Sequence, residues 1–143
     1  MEYTVIGDTV NLASRLEALT KLYHVNTLVS QRTYEDISEF FHTREVDTVL
    51  VAGKSQETVV YEVLGTTYEE LSTTHEAILK YYPPALATYK KGNFEEAAAG
   101  FDTCARAGDQ LSVLMRDRCL EFMKNPPKRW SGAFRIQKED IPE

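Results

Sequence analysis

The chain has 143 residues, 43% hydrophobic and 27% charged, which suits one ordinary globular domain or two small units. Its 16 Lys and Arg against 22 Asp and Glu give a net charge of -6, so no broad basic field is present to hold a polyphosphate backbone, and nucleic acid is excluded as a partner. No apolar run reaches the roughly 18 to 20 residues that span a bilayer, and the start has no basic segment followed by an apolar signal core, so a cytoplasmic location is expected.

Tyr3 to Ile6 is a β-prone run that stops at Gly7-Asp8-Thr9. From there Leu12, Leu16, Leu19 and Tyr23 recur with helical spacing, so a strand feeds a helix. Asp8 or Thr9 can cap that helix, which should fade near His24 and Asn26. "NTLVS" then reads as a short buried strand, and Ser30 as the cap of a brief helix, "QRTYEDIS". The stretches Thr43 to Val51 and Thr58 to Leu64 are rich in β-branched and aromatic residues and flank "AGKSQE", which predicts a β-hairpin with Lys54 at or near its tip.

After Gly65 the character changes to helix. "TYEELSTTHEAILKYY" is expected to form one helix broken by Pro83-Pro84, with three further helical stretches behind it. Within them "ALATYKKGNFEEAAAGFDTCARAG" has the small-residue and aromatic pattern of a helical hairpin turning at Gly-Asn, which resembles one tetratricopeptide-like unit. The end, "NPPKRWSGAFRIQKEDIPE", reads as an extended tail docked by Trp130. The expected organisation is thus 1–65, 66–125 helical, and 126–143 extended.

Asn11 and Arg15 lie four residues apart and flank the Leu12/Leu16/Leu19 stripe, with Ser14, Glu17 and Lys21 on the solvent side. A guanidinium offers a planar, permanently charged fork for phosphate oxygens, and an amide can orient a sugar or a base edge. On the spacing alone, a surface pairing of Arg15 with Glu17, Asp8 or another surface acid is the favoured explanation. Lys54 in its turn is likewise either a solvated charge or a phosphate contact. The histidines His24, His42 and His75 fall in three different elements, and Cys104 and Cys119 have no metal-site or disulfide spacing, so free thiols are expected. No Ser/His/Asp order, Cys/His pair or Gly-rich phosphate loop appears.

The uninterrupted "YTVIGDTVNLASRLE" closely resembles the strand-to-helix motif of class III adenylate/guanylate cyclases, and the likeness continues through "VNTLVSQRTYE" to "VAGKSQETVVYEVLG", covering residues 2 to about 65. It implies an α+β chain: a partial ferredoxin-like cyclase domain, ordered strand-helix-strand-helix-hairpin, followed by a helical hairpin region. It implies conversion of ATP to 3′,5′-cyclic AMP and pyrophosphate, with Asn11 orienting the ribose, Arg15 stabilising charge on the reacting phosphate, and Lys54 contacting the phosphates. Thr4 aligns with the purine-reading position, where a bacterial branch carries Thr, which favours ATP over GTP. The resemblance also implies magnesium or manganese and a second cyclase protomer, as a homodimer. The family's two metal-binding aspartates and its base-reading lysine precede the motif at which this chain begins, so the isolated chain is expected to be a C-terminal part that makes no cyclic AMP. Without the strands of that preceding part, the apolar faces of Tyr3 to Ile6 and of Leu28 to Val29 are expected to lie open. A "PP..W.G" pattern at Pro126, Pro127, Trp130 and Gly132 resembles the helical tail of some bacterial cyclases, where packing or coupling is the expected role. The competing expectation is a non-catalytic interaction module in which the helices around Ala85 to Gly108 grip a protein partner.

Overall fold

Alternation of β-branched and polar residues after Phe41 produces the longest strand, and the rest of the chain is arranged around it. The computed structural model describes residues 7–51, 56–137 and 140. Its elements are α1 (Gly7–Tyr23), β1 (Leu28–Ser30), α2 (Gln31–Ile37), β2 (Phe41–Val51), β3 (Glu57–Thr66), α3 (Thr73–Lys90), α4 (Phe94–Arg106), α5 (Gln110–Lys124) and β4 (Phe134–Ile136). The result is an α+β chain with a sheet ordered β1-β3-β2-β4. The strand expected at Tyr3 to Ile6 lies outside the described residues.

Helix α1 follows its apolar stripe. Leu16, Leu19 and Tyr23 are buried, whereas Ser14, Glu17 and Lys21 are exposed. It stops where His24 enters the left-handed region at φ 57° and the Val25 N–H donates back to the Thr20 carbonyl. Ser30 ends β1 and caps α2, its hydroxyl accepting from the Thr33 N–H at 3.2 Å. Leu28, expected to lie open, is only 2% exposed. The physical reason is that α1 packs back onto β1 and covers it.

Strands β2 and β3 form the expected hairpin. The register shifts between Glu45 and Asp47, where Val46 is an extra residue without a partner on β3. Asp47, Thr48 and Val49 are all buried, so both faces of β2 are covered there. In the terminal stretch, β4 adds parallel to β2, pairing Val49 with Phe134, Leu50 with Arg135 and Val51 with Ile136. That pairing occupies the backbone donors and acceptors that an open β2 edge would present.

Helix α3 corrects the expected break at Pro83-Pro84, for it runs unbroken through both. It starts later than expected, at Thr73, with the Ser72 hydroxyl accepting from the His75 N–H. Both prolines are exposed, while Tyr82, Ala85, Leu86 and Tyr89 are buried. The two missing N–H groups therefore leave carbonyls on the wet side, and burial of the opposite face holds the two halves in line.

Helix α4 packs against both α3 and α5. Contact between α3 and α4 is close at Gly100, where an added Cβ would stand 2.8 Å from the Ala85 Cβ. Trp130 docks the tail as expected. Its ring meets Tyr89, Phe94 and Phe122 edge-on, and its Nε1–H donates to the carbonyls of Tyr89 and Lys90. Gly100→Val is expected to wedge α3 from α4 and lower the unfolding free energy by about 1–3 kcal/mol, read from the urea midpoint. Part of that loss should return when Ala85→Gly is added, since both changes act at one contact.

Candidate functional site

Topology sets the position of the phosphate-type residues. Strand β1 is antiparallel to β3, with Leu28 opposite Glu62 and Ser30 opposite Val60, so β1 runs toward the Val51/Glu57 end of the hairpin. Helix α1 reaches β1 through only residues 24–27 and packs on it, so α1 runs the other way. The N-terminal turns of α1 thus point toward the same end of the sheet as Val51 and Glu57. Asn11 and Arg15 belong to this helix. Arg15 is half-buried, and it forms no ion pair with Glu17 or with any other acid of residues 14–50, 56–137 and 140. Thr4 precedes α1 and Lys54 falls between β2 and β3; both lie outside the described residues.

The opposite end of α1 is tied down by a buried charge. Tyr23 donates its hydroxyl to Asp47 Oδ2 at 2.7 Å, and Arg118 of α5 donates to the same oxygen at 2.7 Å. The Thr48 N–H closes on Asp47 Oδ1 at 2.8 Å. Asp47 is fully buried, and the Arg118 side chain is 8% exposed. That guanidinium also lies 3.5 Å from the centre of the Phe134 ring and donates to the Tyr89 hydroxyl at 3.2 Å. Burial raises the Asp47 carboxyl above its usual range, and Arg118, Tyr23 and the Thr48 N–H pull it back only in part. Burial also works against the Arg118 charge, but Tyr23, Asp47 and Tyr89 more than offset it, so the guanidinium stays protonated.

A second buried arginine repeats the device one turn of chain earlier. Arg44 of β2 donates through Nε to Glu62 of β3 at 2.8 Å and grips both oxygens of Asp109 at 2.5 and 2.8 Å. Asp109 in turn caps α5, accepting from the Ser112 N–H at 3.2 Å and from its hydroxyl at 2.5 Å. Burial opposes the Asp109 charge, yet Arg44 and Ser112 outweigh it and hold the carboxyl below its usual value. The Arg44 guanidinium lies 4.7 Å from the centre of the Tyr82 ring, and the Tyr82 hydroxyl donates to the Val46 carbonyl at 2.7 Å. Sequence reasoning missed both arginines and their acids. The one local signal was "TREVDTV", one basic and two acidic residues inside a β-branched strand.

Among the described residues no group of three His, Cys, Asp or Glu stands together as a metal site. The buried carboxylates are engaged instead by arginines, so this donor set does not fit a divalent cation. Cys104 and Cys119 are free and buried, as expected of unpaired thiols. Burial pushes Cys119 up to about 12 and raises Cys104 as well.

Similarity to known proteins agrees with the motif. The chain is 36% identical over 129 residues to "Adenylate cyclase, terminal-differentiation specific" of Dictyostelium discoideum, a match covering 87% of this chain and 6% of that protein. It is 44% identical over 66 residues to "Adenylate cyclase" of Anabaena cylindrica, covering 44% of this chain and 13% of the relative. A 65-residue match to "Adenylate cyclase 1" of Rhizobium meliloti (strain 1021) is 37% identical and covers 46% of this chain and 10% of the relative. No protein-family model and no solved structure matches. The chain therefore carries a region related to proteins named adenylate cyclase, and it spans 13% or less of the length of each of these relatives.

Two outcomes follow from the buried groups. Asp47→Ala leaves Arg118 buried without its counter-charge and is expected to cost about 3–5 kcal/mol in chemical denaturation. In the native protein at pH 8 neither Cys104 nor Cys119 is expected to take up iodoacetamide, and both should do so once urea unfolds the chain, as mass spectrometry would record.

Proposed function

We propose that these residues supply the phosphate-facing part of an adenylate cyclase of class III, which converts ATP to 3′,5′-cyclic AMP and pyrophosphate. The observation that carries this reading is the 36% identity over 129 residues to an adenylate cyclase, a match too long to leave out either the sheet or the helices. The α1 motif "GDTVNLASRLE" gives it chemistry. In the reaction the ribose 3′-oxygen attacks the α-phosphorus, the bond to pyrophosphate breaks, and negative charge builds on the phosphate oxygens. Arg15 stabilises that charge, Asn11 holds the ribose in line, Lys54 meets the phosphates and Thr4 meets the adenine edge.

Magnesium or manganese, when bound, would neutralise the phosphates and activate the 3′-hydroxyl. Since the described carboxylates do not fit a metal, its ligands are assigned to other parts of the enzyme, and a second protomer of a homodimer completes the site.

Two measurements test the reading. Arg15→Ala in the full-length protein is expected to lower cyclic AMP formation by about 10²–10³-fold with an unchanged circular dichroism spectrum. Unaltered activity would overturn the assignment. The 143-residue chain incubated alone with ATP and magnesium is expected to form no cyclic AMP, and sustained product formation would show that the metal ligands were wrongly placed elsewhere.

A further inference from the structure

Arg118 is where the helical region meets the hydrogen-bonded end of α1. Its guanidinium bonds Asp47 of β2 and the hydroxyl of Tyr89 in α3, and it lies over the ring of Phe134 of β4. Asp47 hands the connection to Tyr23, the last residue of α1. Among residues 14–23 of α1, this hydroxyl makes the one side-chain hydrogen bond to another element. Leu16 and Leu19, which also anchor α1, are apolar, and apolar contact resists separation better than it resists rotation. A directional bond at Tyr23 is therefore what fixes the tilt and roll of the helix.

We infer that Arg118, though remote from the substrate, is a positioning residue for the cyclase site, holding Tyr23 through Asp47 and thereby aiming Asn11 and Arg15. This rests on the cyclase reading above. The lever is short: Arg15 lies eight residues before Tyr23, about 12 Å along the helix at 1.5 Å per residue. A tilt of roughly 5° at Tyr23 then moves Arg15 by about 1 Å, a displacement that can cost on the order of 10²-fold in rate. The same arginine braces β4, which pairs with Val49 to Val51 of β2, so both elements that converge on one end of the sheet share a single joint.

The test uses the full-length protein and three variants, Arg118→Met, Tyr23→Phe and Arg15→Ala. Tyr23→Phe removes only the bonding hydroxyl and keeps the ring, so it tests the joint even where Arg118→Met fails to fold. At a temperature where circular dichroism shows native structure, Tyr23→Phe and Arg118→Met are each expected to lower kcat about tenfold or more while KM for ATP stays within about twofold. Hydrogen exchange should quicken across Gly7–Tyr23 and stay unchanged in α4. In an Arg15→Ala background the additional loss should be clearly smaller than in the wild type, because only the aim of Asn11 is left to lose. A folded Tyr23→Phe protein with wild-type kcat and wild-type exchange in α1 would overturn the inference, as would full additivity with Arg15→Ala. Should Arg15→Ala itself leave cyclic AMP formation intact, the cyclase reading fails, and the positioning role falls with it.

Discussion

The rest of the structure depends on a buried carboxylate finding a buried arginine. Asp47 has no exposure and can be charged only while Arg118, Tyr23 and the Thr48 N–H surround it. Those partners come from α1, β2 and α5, with Tyr89 of α3 and Phe134 of β4 around the arginine. An ion pair of this kind gives little net stability over an apolar substitute, but it penalises every arrangement in which one partner is missing. Its contribution is to select one assembly of five elements. The Arg44 cluster repeats the logic, with a bidentate grip on Asp109 that also fixes where α5 begins.

That selection changes what the helical part of the chain is. Read as sequence, residues 66–125 look like an appendage behind a cyclase-like half-domain. In the structure, Lys90 pairs with Glu45, Arg118 with Asp47 and Asp109 with Arg44, so each of three acidic or basic positions in β2 is matched from α3, α5 or the turn before α5. The apolar core is equally continuous, since Tyr82 and Tyr89 of α3 belong to the same buried cluster as Val46, Val49 and Leu19. The match to the Dictyostelium cyclase covers 87% of the chain, too much to leave out either the strands or the helices.

Much of this was legible locally. The α1 stripe, the Ser30 cap, the hairpin and the docking of Trp130 all depend on residues near in sequence or on one dominant side chain, and the pattern of types gives them away. Two features were not. Pro83-Pro84 signals a break in any local reading, and only the burial of Tyr82, Ala85, Leu86 and Tyr89 on the far face shows why the helix continues. The ionic joints link positions 65 and 71 residues apart, so no window of sequence contains both partners. Of the proposed site, Asn11 and Arg15 were legible as a motif on one helix face, but the bond that orients that helix lies in a strand where Asp47 reads as merely polar.

Consider what the strands require if the helices are taken away. Arg44 would keep Glu62, but Asp47 would keep only Tyr23 and a backbone N–H and would lose the cation that balances it in the assembled chain. Once the helices cover the strand, that carboxylate is buried, and without Arg118 its charge would cost several kcal/mol. The alternation in "TREVDTV" thus writes the helices into the strand: a charge at Arg44 and its opposite at Asp47 are tolerable only where Asp109 and Arg118 arrive from elsewhere in the chain. Sheet and helices are in this sense one specification, and the end of α1 that meets them is the end through which a change in the helices reaches Arg15.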